Sequence, residues 1–219
     1  MKKQFAVIGI GRFGSSVAKT LCGLGHEVLA VDRNQDRIQE IADYVTHAVQ
    51  ADATDEEALK SLGIRNFDAV VVSIGDDIQS SIMIALLCKE MGVKFVVGKA
   101  QNDLHAKVLY KIGVDKVIFP ERDMGMKIAH HLASTNIIDY IELASDYSLV
   151  EVTAIPEWVG KSLRQINMRV VYGLNVVAIK RGEDVLISPK GEDVINEGDV
   201  LVTIGKNDYI KKLEDKTQG

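Results

Sequence analysis

Residues 5–21 read FAVIGIGRFGSSVAKTL: an apolar run, a turn carrying Gly9, Gly11 and Gly14, and then a helical pattern. A G-x-G-x-x-G spacing says little alone, but between a strand and a helix each glycine has a separate task. Gly9 permits the tight turn, Gly11 lets the backbone approach a phosphate, and Gly14 lets helix and strand pack closely. The amides that open the helix then face the ligand, where the macrodipole favours negative charge. Asp32 closes the next apolar run, 18 residues after Gly14. Its carboxylate can accept from both hydroxyls of an adenosine ribose and repels a 2′-phosphate; the competing role is a helix cap.

Working outward, QFAVIG, EVLAVD, HAVQAD, AVVVSIG, FVVGKA and KVIFP read as six strands, each apolar throughout. Strands of that kind are covered by helices on both faces of a parallel sheet. Helical patterns near 13–23, 34–43, 55–62, 77–91 and 103–112 separate them. The expected fold class is therefore α/β, a Rossmann-like doubly wound sheet over residues 1–120. Residues 121–138 read as a crossover helix and linker. From 139 to 219 the pattern alternates as YIELA, SLVEVTAI, NVVAIKRG, DVLISP and DVLVTIG, with short helices near 161–168 and 207–215. That second segment is a small α+β domain.

The chain has 219 residues, 47% of them hydrophobic and 26% charged, as in ordinary globular domains. A formal charge of −5 gives no overall attraction to nucleic acid, and no basic recognition helix is evident. The longest run free of polar residues is about IMIALLC, far short of a bilayer span. The opening MKKQFAVIGIG lacks a small-residue cleavage site and reads as a first strand rather than a leader. Cys22 and Cys88 each lie in an apolar helical pattern with no cysteine nearby, as expected of buried thiols in a reducing cytoplasm.

Ligands of open parallel sheets bind beyond the carboxyl ends of the strands, so the other strand ends extend the pocket. Asp52, with Ala53 beside it, follows the third strand near adenine or ribose, while Thr54 is a candidate cap for the next helix. Ser73, Ile74 and Gly75 end the fourth strand and would form the floor. Lys99 ends the fifth, where its ammonium could reach phosphate or remain solvated. Arg12, inside the glycine turn, can reach outward to a second or third phosphate as a bidentate donor. Phe13 beside it and Arg33 beside Asp32 complete the set.

A catalytic constellation is hard to assemble. No tyrosine is followed four positions later by lysine, and no Walker lysine, nucleophile elbow or H-E-x-x-H is present. The histidines are scattered, and the adjacent His130 and His131 cannot share one helix face. A small NAD-dependent oxidoreductase is nonetheless the rival to a non-enzymatic binding protein.

The stretches KQFAVIGIGRFGSSVAKTL, HEVLAVD, ADATDEEALKSLGIRNFDAVVVSIGDDIQSSI, KAQNDLHAKVLYKIGVDKVIFPERDMG and INEGDVLVTIG resemble the cytosolic regulatory subunits of Ktr and Trk potassium uptake systems, the RCK or KTN proteins. The resemblance covers essentially the whole chain. It implies a homo-oligomer, a dimer-based octameric ring, beneath a membrane potassium channel subunit at the inner face of the cell membrane. It further implies ATP or ADP as ligand, NAD or NADH in some members, a divalent cation such as magnesium or calcium, and cyclic di-AMP at the C-terminal domain. One nucleotide domain per chain places the sequence with the Ktr type. By the same resemblance Arg12 contacts the terminal phosphate of ATP, Lys99 is a second basic group in that pocket, and Glu121 is the acidic residue that a divalent cation bridges to nucleotide. Without the resemblance, Glu121 is an ordinary first-turn carboxylate placed against a helix dipole. MRVVYGLNVVAIKRG followed by ISP is similar to the stretch that binds cyclic di-AMP between subunits, which implies roles for Arg169, Asn175 and Pro189, or else a plain strand edge and turn.

Overall fold

The computed structural model describes residues 2–133 and 137–217. The chain divides into two compact units, Met1–Glu121 and Arg122–Gly219.

The first unit runs β1 (Gln4–Ile8), α1 (Arg12–Gly23), β2 (Glu27–Asp32), α2 (Gln35–Ile41), β3 (His47–Gln50), α3 (Glu56–Ser61), β4 (Ala69–Val72), α4 (Ile78–Glu90), β5 (Val96–Lys99), α5 (Asp103–Lys111) and β6 (Lys116–Ile118). The six strands form one sheet in the order β3-β2-β1-β4-β5-β6. All neighbours are parallel. The order reverses between β1 and β4, which opens a crevice beyond their carboxyl ends. Both faces are buried, as the apolar strands require: Ala6 and Ile8 pack with Val70, Val72 and Ile84 on one side, while Val7 packs with Ala18, Val28 and Ile38 on the other.

Helix starts show which end of the unit is reserved. Asn34, Asp55, Asp77 and Asn102 cap α2, α3, α4 and α5 through their side chains. Helix α1 begins after Gly11 with no side-chain cap, so its first amides face the crevice uncapped. Asp32 is thus not the cap of α2, and Asp55 rather than Thr54 caps α3.

Several expected elements end early. The third strand stops at Gln50 and the fourth at Val72, because the residues after them turn to line the crevice. Helix α2 stops at Ile41 and passes into a short 3-10 turn, Ala42–Tyr44; a second such turn, Ile64–Asn66, follows Gly63 at φ +65°. Neither turn has a periodicity long enough to read from sequence.

The second unit takes in most of α6 (Pro120–Ala133), then β7 (Ile137–Ala144), β8 (Tyr147–Thr153), α7 (Leu163–Ile166), α8 (Met168–Val171), β9 (Leu174–Arg181), β10 (Asp184–Ile187), β11 (Val200–Lys206) and α9 (Asn207–Thr217). Its sheet has the order β10-β9-β11-β8-β7. Every neighbouring pair is antiparallel. The alternating burial of β8 and β11 feeds a core of Val150, Val152, Trp158, Leu174, Ile195, Leu201 and Leu213. The single helix expected near 161–168 is two short ones. Asn167, at φ 53°, adopts the left-handed conformation that stops the first turn after a Ser162–Gln165 capping box. Residues 134–136 of the expected crossover segment, and the side chains of His130 and His131, lie outside what is described. Met124, Ile128 and Leu132 on α6 are more than half exposed.

Candidate functional site

The glycine turn is built as the spacing requires. Gly9 sits at φ +94°, and a Cβ there would lie 2.8 Å from the Ile74 side chain and 3.1 Å from the Ser73 backbone. At Gly14 a Cβ would collide with the Gly9 carbonyl and the Ser73 hydroxyl. The space beside Gly11 is open, with nothing within 4 Å of a Cβ built there. The chain's own packing therefore explains two of the three glycines, and the third leaves room for a group that approaches from outside. Ser73 Oγ donates to the Gly9 carbonyl at 2.5 Å, and this bond ties the end of β4 to the turn.

Asp32 is buried at the end of β2. Its Oδ2 accepts from the Ile10 amide at 2.6 Å and its Oδ1 from the Asn34 amide at 2.8 Å. These two bonds fix the carboxylate beside the turn, and Oδ1 keeps a lone pair for a further donor. Arg37 Nη1 reaches Oδ2 at 3.4 Å. Nearby, Asp52 accepts from the amide and hydroxyl of Thr54 at 2.9 and 2.6 Å, and these bonds hold its carboxyl below the usual range. Asp77 is lowered in the same way by the hydroxyl and amide of Ser80.

At the other end, Lys99 is buried and makes a 2.5 Å ion pair with Glu121, so it is not a solvated lysine. The bond from Lys99 holds the Glu121 carboxyl below its usual range against the opposing effect of desolvation, and the Arg12 charge lowers it a little further.

These groups enclose a cavity of about 680 Å³ at the switch point. The structure brings Gly9, Gly11, Arg12, Phe13, Asp32, Arg33, Asp52, Ala53, Ser73, Ile74, Gly75, Lys99 and Glu121 to its wall, while Gly14 lies beneath the turn and supports it. Sequence reasoning missed Lys19, Arg37, Asp77 and Ser80. Arg37 had a usable signal, a cation on the helix that follows Asp32. Among the described residues no group of three or more His, Cys, Asp or Glu could hold a metal ion. Glu121 alone does not make a cation site, and a divalent ion there would have to draw its other ligands from a bound molecule.

In the second unit Arg169 lies on α8, Asn175 on β9 and Pro189 beyond β10. Arg169 and Asn175 are exposed and Pro189 is half-buried. Neither the large cavity nor a shallower one of about 460 Å³ along α5 includes any of them. This unit builds charged pairs of its own, Lys180–Glu151 and Arg181–Asp199 among them. Arg181 grips Asp199 through Nε at 2.9 Å and Nη2 at 2.7 Å, and this grip holds the Asp199 carboxyl down.

Sheet order, uncapped glycine turn and buried carboxylate define a Rossmann-type α/β unit, followed in the chain by a small antiparallel unit. Residues 5–120 match the TrkA-N domain and 148–218 the TrkA-C domain, and the chain belongs to that family. It is 50% identical over 214 residues to Ktr system potassium uptake protein C of Bacillus subtilis, covering 98% of this chain and 97% of that one. Ktr system potassium uptake protein A of Vibrio alginolyticus is 39% identical, with 95% and 94% covered. Among solved structures, the GsuK channel bound to NAD superposes with a TM-score of 0.69 at 17% identity. This chain spans 98% of its own length and 39% of the channel's in that match, a likeness of fold. No described helix is long and apolar enough to cross a membrane.

Proposed function

We propose that the chain is the non-enzymatic, nucleotide-sensing regulatory subunit of a Ktr-type potassium uptake system, bound at the cytoplasmic face to a membrane potassium channel subunit. The observation that carries this reading is the polarity of the cavity: a fixed carboxylate, Asp32, at one end and Arg12 with the Lys99–Glu121 pair at the other. Asp32 would hold the adenosine ribose, and the α1 amides would hold the first phosphates. Arg12 would read the terminal phosphate and so distinguish ATP from ADP. A divalent cation would bridge that phosphate to Glu121. The half-open apolar side chains of α6 support assembly into a ring of copies, whose shape the nucleotide biases through its different affinity for two states. In the second unit, the resemblance of residues 168–189 to a cyclic di-AMP site makes Arg169 a phosphate contact across a two-fold axis.

Calorimetric titration of the full chain with ATP, ADP and NADH tests the nucleotide reading, with potassium flux through the reconstituted membrane partner as the functional readout. Nucleotide-dependent flux supports the proposal. Turnover of NADH at 340 nm with a small-molecule substrate would replace it with the oxidoreductase reading. Calorimetry with cyclic di-AMP on wild type and Arg169→Ala tests the second site.

A further inference from the structure

Asp32 has fewer open positions than an isolated carboxylate. An ionised carboxylate accepts about four hydrogen bonds, shared between its oxygens. The Ile10 amide and Arg37 Nη1 take the positions at Oδ2, at 2.6 and 3.4 Å, and the Asn34 amide takes one at Oδ1, at 2.8 Å. A single position at Oδ1 is left. The same turn holds Arg37 in place: Asn34, whose amide donates to Asp32, accepts through its side chain from the Asp36 and Arg37 amides at 2.8 and 3.3 Å, and so starts α2 there. The Asp32 side chain is 4% exposed and that of Arg37 48%. The guanidinium therefore lies at the cavity wall with its charge answering a carboxylate closed to water.

From this count, and resting on the nucleotide reading above, we infer that Arg37 determines how the cavity reads the sugar: it makes Asp32 take one ribose hydroxyl instead of the vicinal pair. One hydroxyl fits the open Oδ1 position with nothing displaced. A second has to replace Arg37 at Oδ2, which exchanges a charged donor for a neutral one and strips the buried carboxylate of its counter-charge. The cavity is thus selective for the one hydroxyl and indifferent to its neighbour. Ribose and one of the two deoxyribose isomers are equivalent ligands, so the acceptable class is adenine nucleotides that keep that single hydroxyl.

Calorimetry on the full chain with ATP, 2′-deoxy-ATP and 3′-deoxy-ATP tests this. Wild type should bind one deoxy analogue within about twofold of ATP and the other roughly tenfold more weakly, as expected for one lost hydrogen bond to a charged group. Arg37→Met frees the Oδ2 position, and both analogues should then fall roughly tenfold below ATP. Comparing these ratios between the two proteins cancels the lost cation and the altered sugar pucker. Arg37 is half exposed, so the substitution should leave thermal unfolding close to wild type, and Arg37→Ala should repeat the pattern. Two weak analogues in wild type would show that Arg37 yields to the sugar and would overturn the inference. It is also overturned if a folded Arg37→Met keeps the wild-type pattern or binds no ATP, or if neither analogue is weaker than ATP in either protein. If wild type binds none of the three, the nucleotide reading itself falls.

Discussion

The two units handle charge in opposite ways, and the difference follows from strand direction. In the parallel sheet of the first unit every strand ends on the same edge, so residues far apart in sequence, Asp32, Ser73 and Lys99 among them, converge on one cavity without any local motif joining them. In the antiparallel sheet of the second unit successive strand ends point opposite ways. There the bidentate ion pair of Arg181 with Asp199 is spent on structure, since Asp199 also accepts from the Asn196 amide of its own turn. One topology leaves charge available to a ligand, and the other consumes it in structure.

The largest test of that contrast is Gly14→Val. The added side chain meets backbone and a tied hydroxyl rather than a flexible tip, so the first unit should lose about 3 kcal/mol or more of stability. Trp158, the chain's one tryptophan and buried in the second unit, should keep its native emission. A parallel loss of Trp158 emission would show that the units do not respond separately.

Next in size is Asp32→Ala, which should weaken ATP, ADP and adenosine together by roughly 30- to 100-fold, as expected when a charged hydrogen-bonding group is lost. The matching change in the second unit, Asp199→Ala, should leave nucleotide affinity alone. It should lower the stability reported by Trp158 by about 2 kcal/mol, because Asp199 satisfies both Arg181 and the Asn196 amide. Loss of nucleotide binding in that variant would contradict the division of roles.

A smaller effect is expected of Arg12→Ala. ADP affinity should hold while ATP weakens roughly tenfold and the ATP-specific change in flux disappears. Equal loss of both nucleotides would mean that Arg12 merely builds the turn.

The smallest effect is in pH. His105 is buried on α5, and desolvation depresses its pKa below 6.5. As pH falls through about 6.5 the unfolded chain takes up a proton that the folded one resists, so stability drops from there downward by at most about 1.4 kcal/mol per pH unit. Asp199, lowered from 3.8, loses its contribution only as pH falls below that value. Denaturation between pH 7.5 and 5 should show the His105 slope, and His105→Gln should flatten it.

The sequence by itself determined the class of fold and one end of the site. Continuous apolar strands and intervening helical periodicity require a doubly covered parallel sheet, and Gly9, Gly11, Gly14 and Asp32 are spaced by local chain geometry that survives any reading of the rest. Alternation marked the second unit's strands in the same way, though not the break at Asn167, which is a single backbone angle with no periodic signal. Tertiary structure alone decided that Arg37 lies on Asp32, that Asp55 displaces Thr54 as a cap, and that Lys99 faces Glu121 across 22 positions of chain. It also decided that Arg169 and Asn175 are exposed while Pro189 is half-buried. The physical reason is range: periodicity and turn chemistry act over a few residues, whereas ion pairing and burial depend on which strand ends the sheet order brings together.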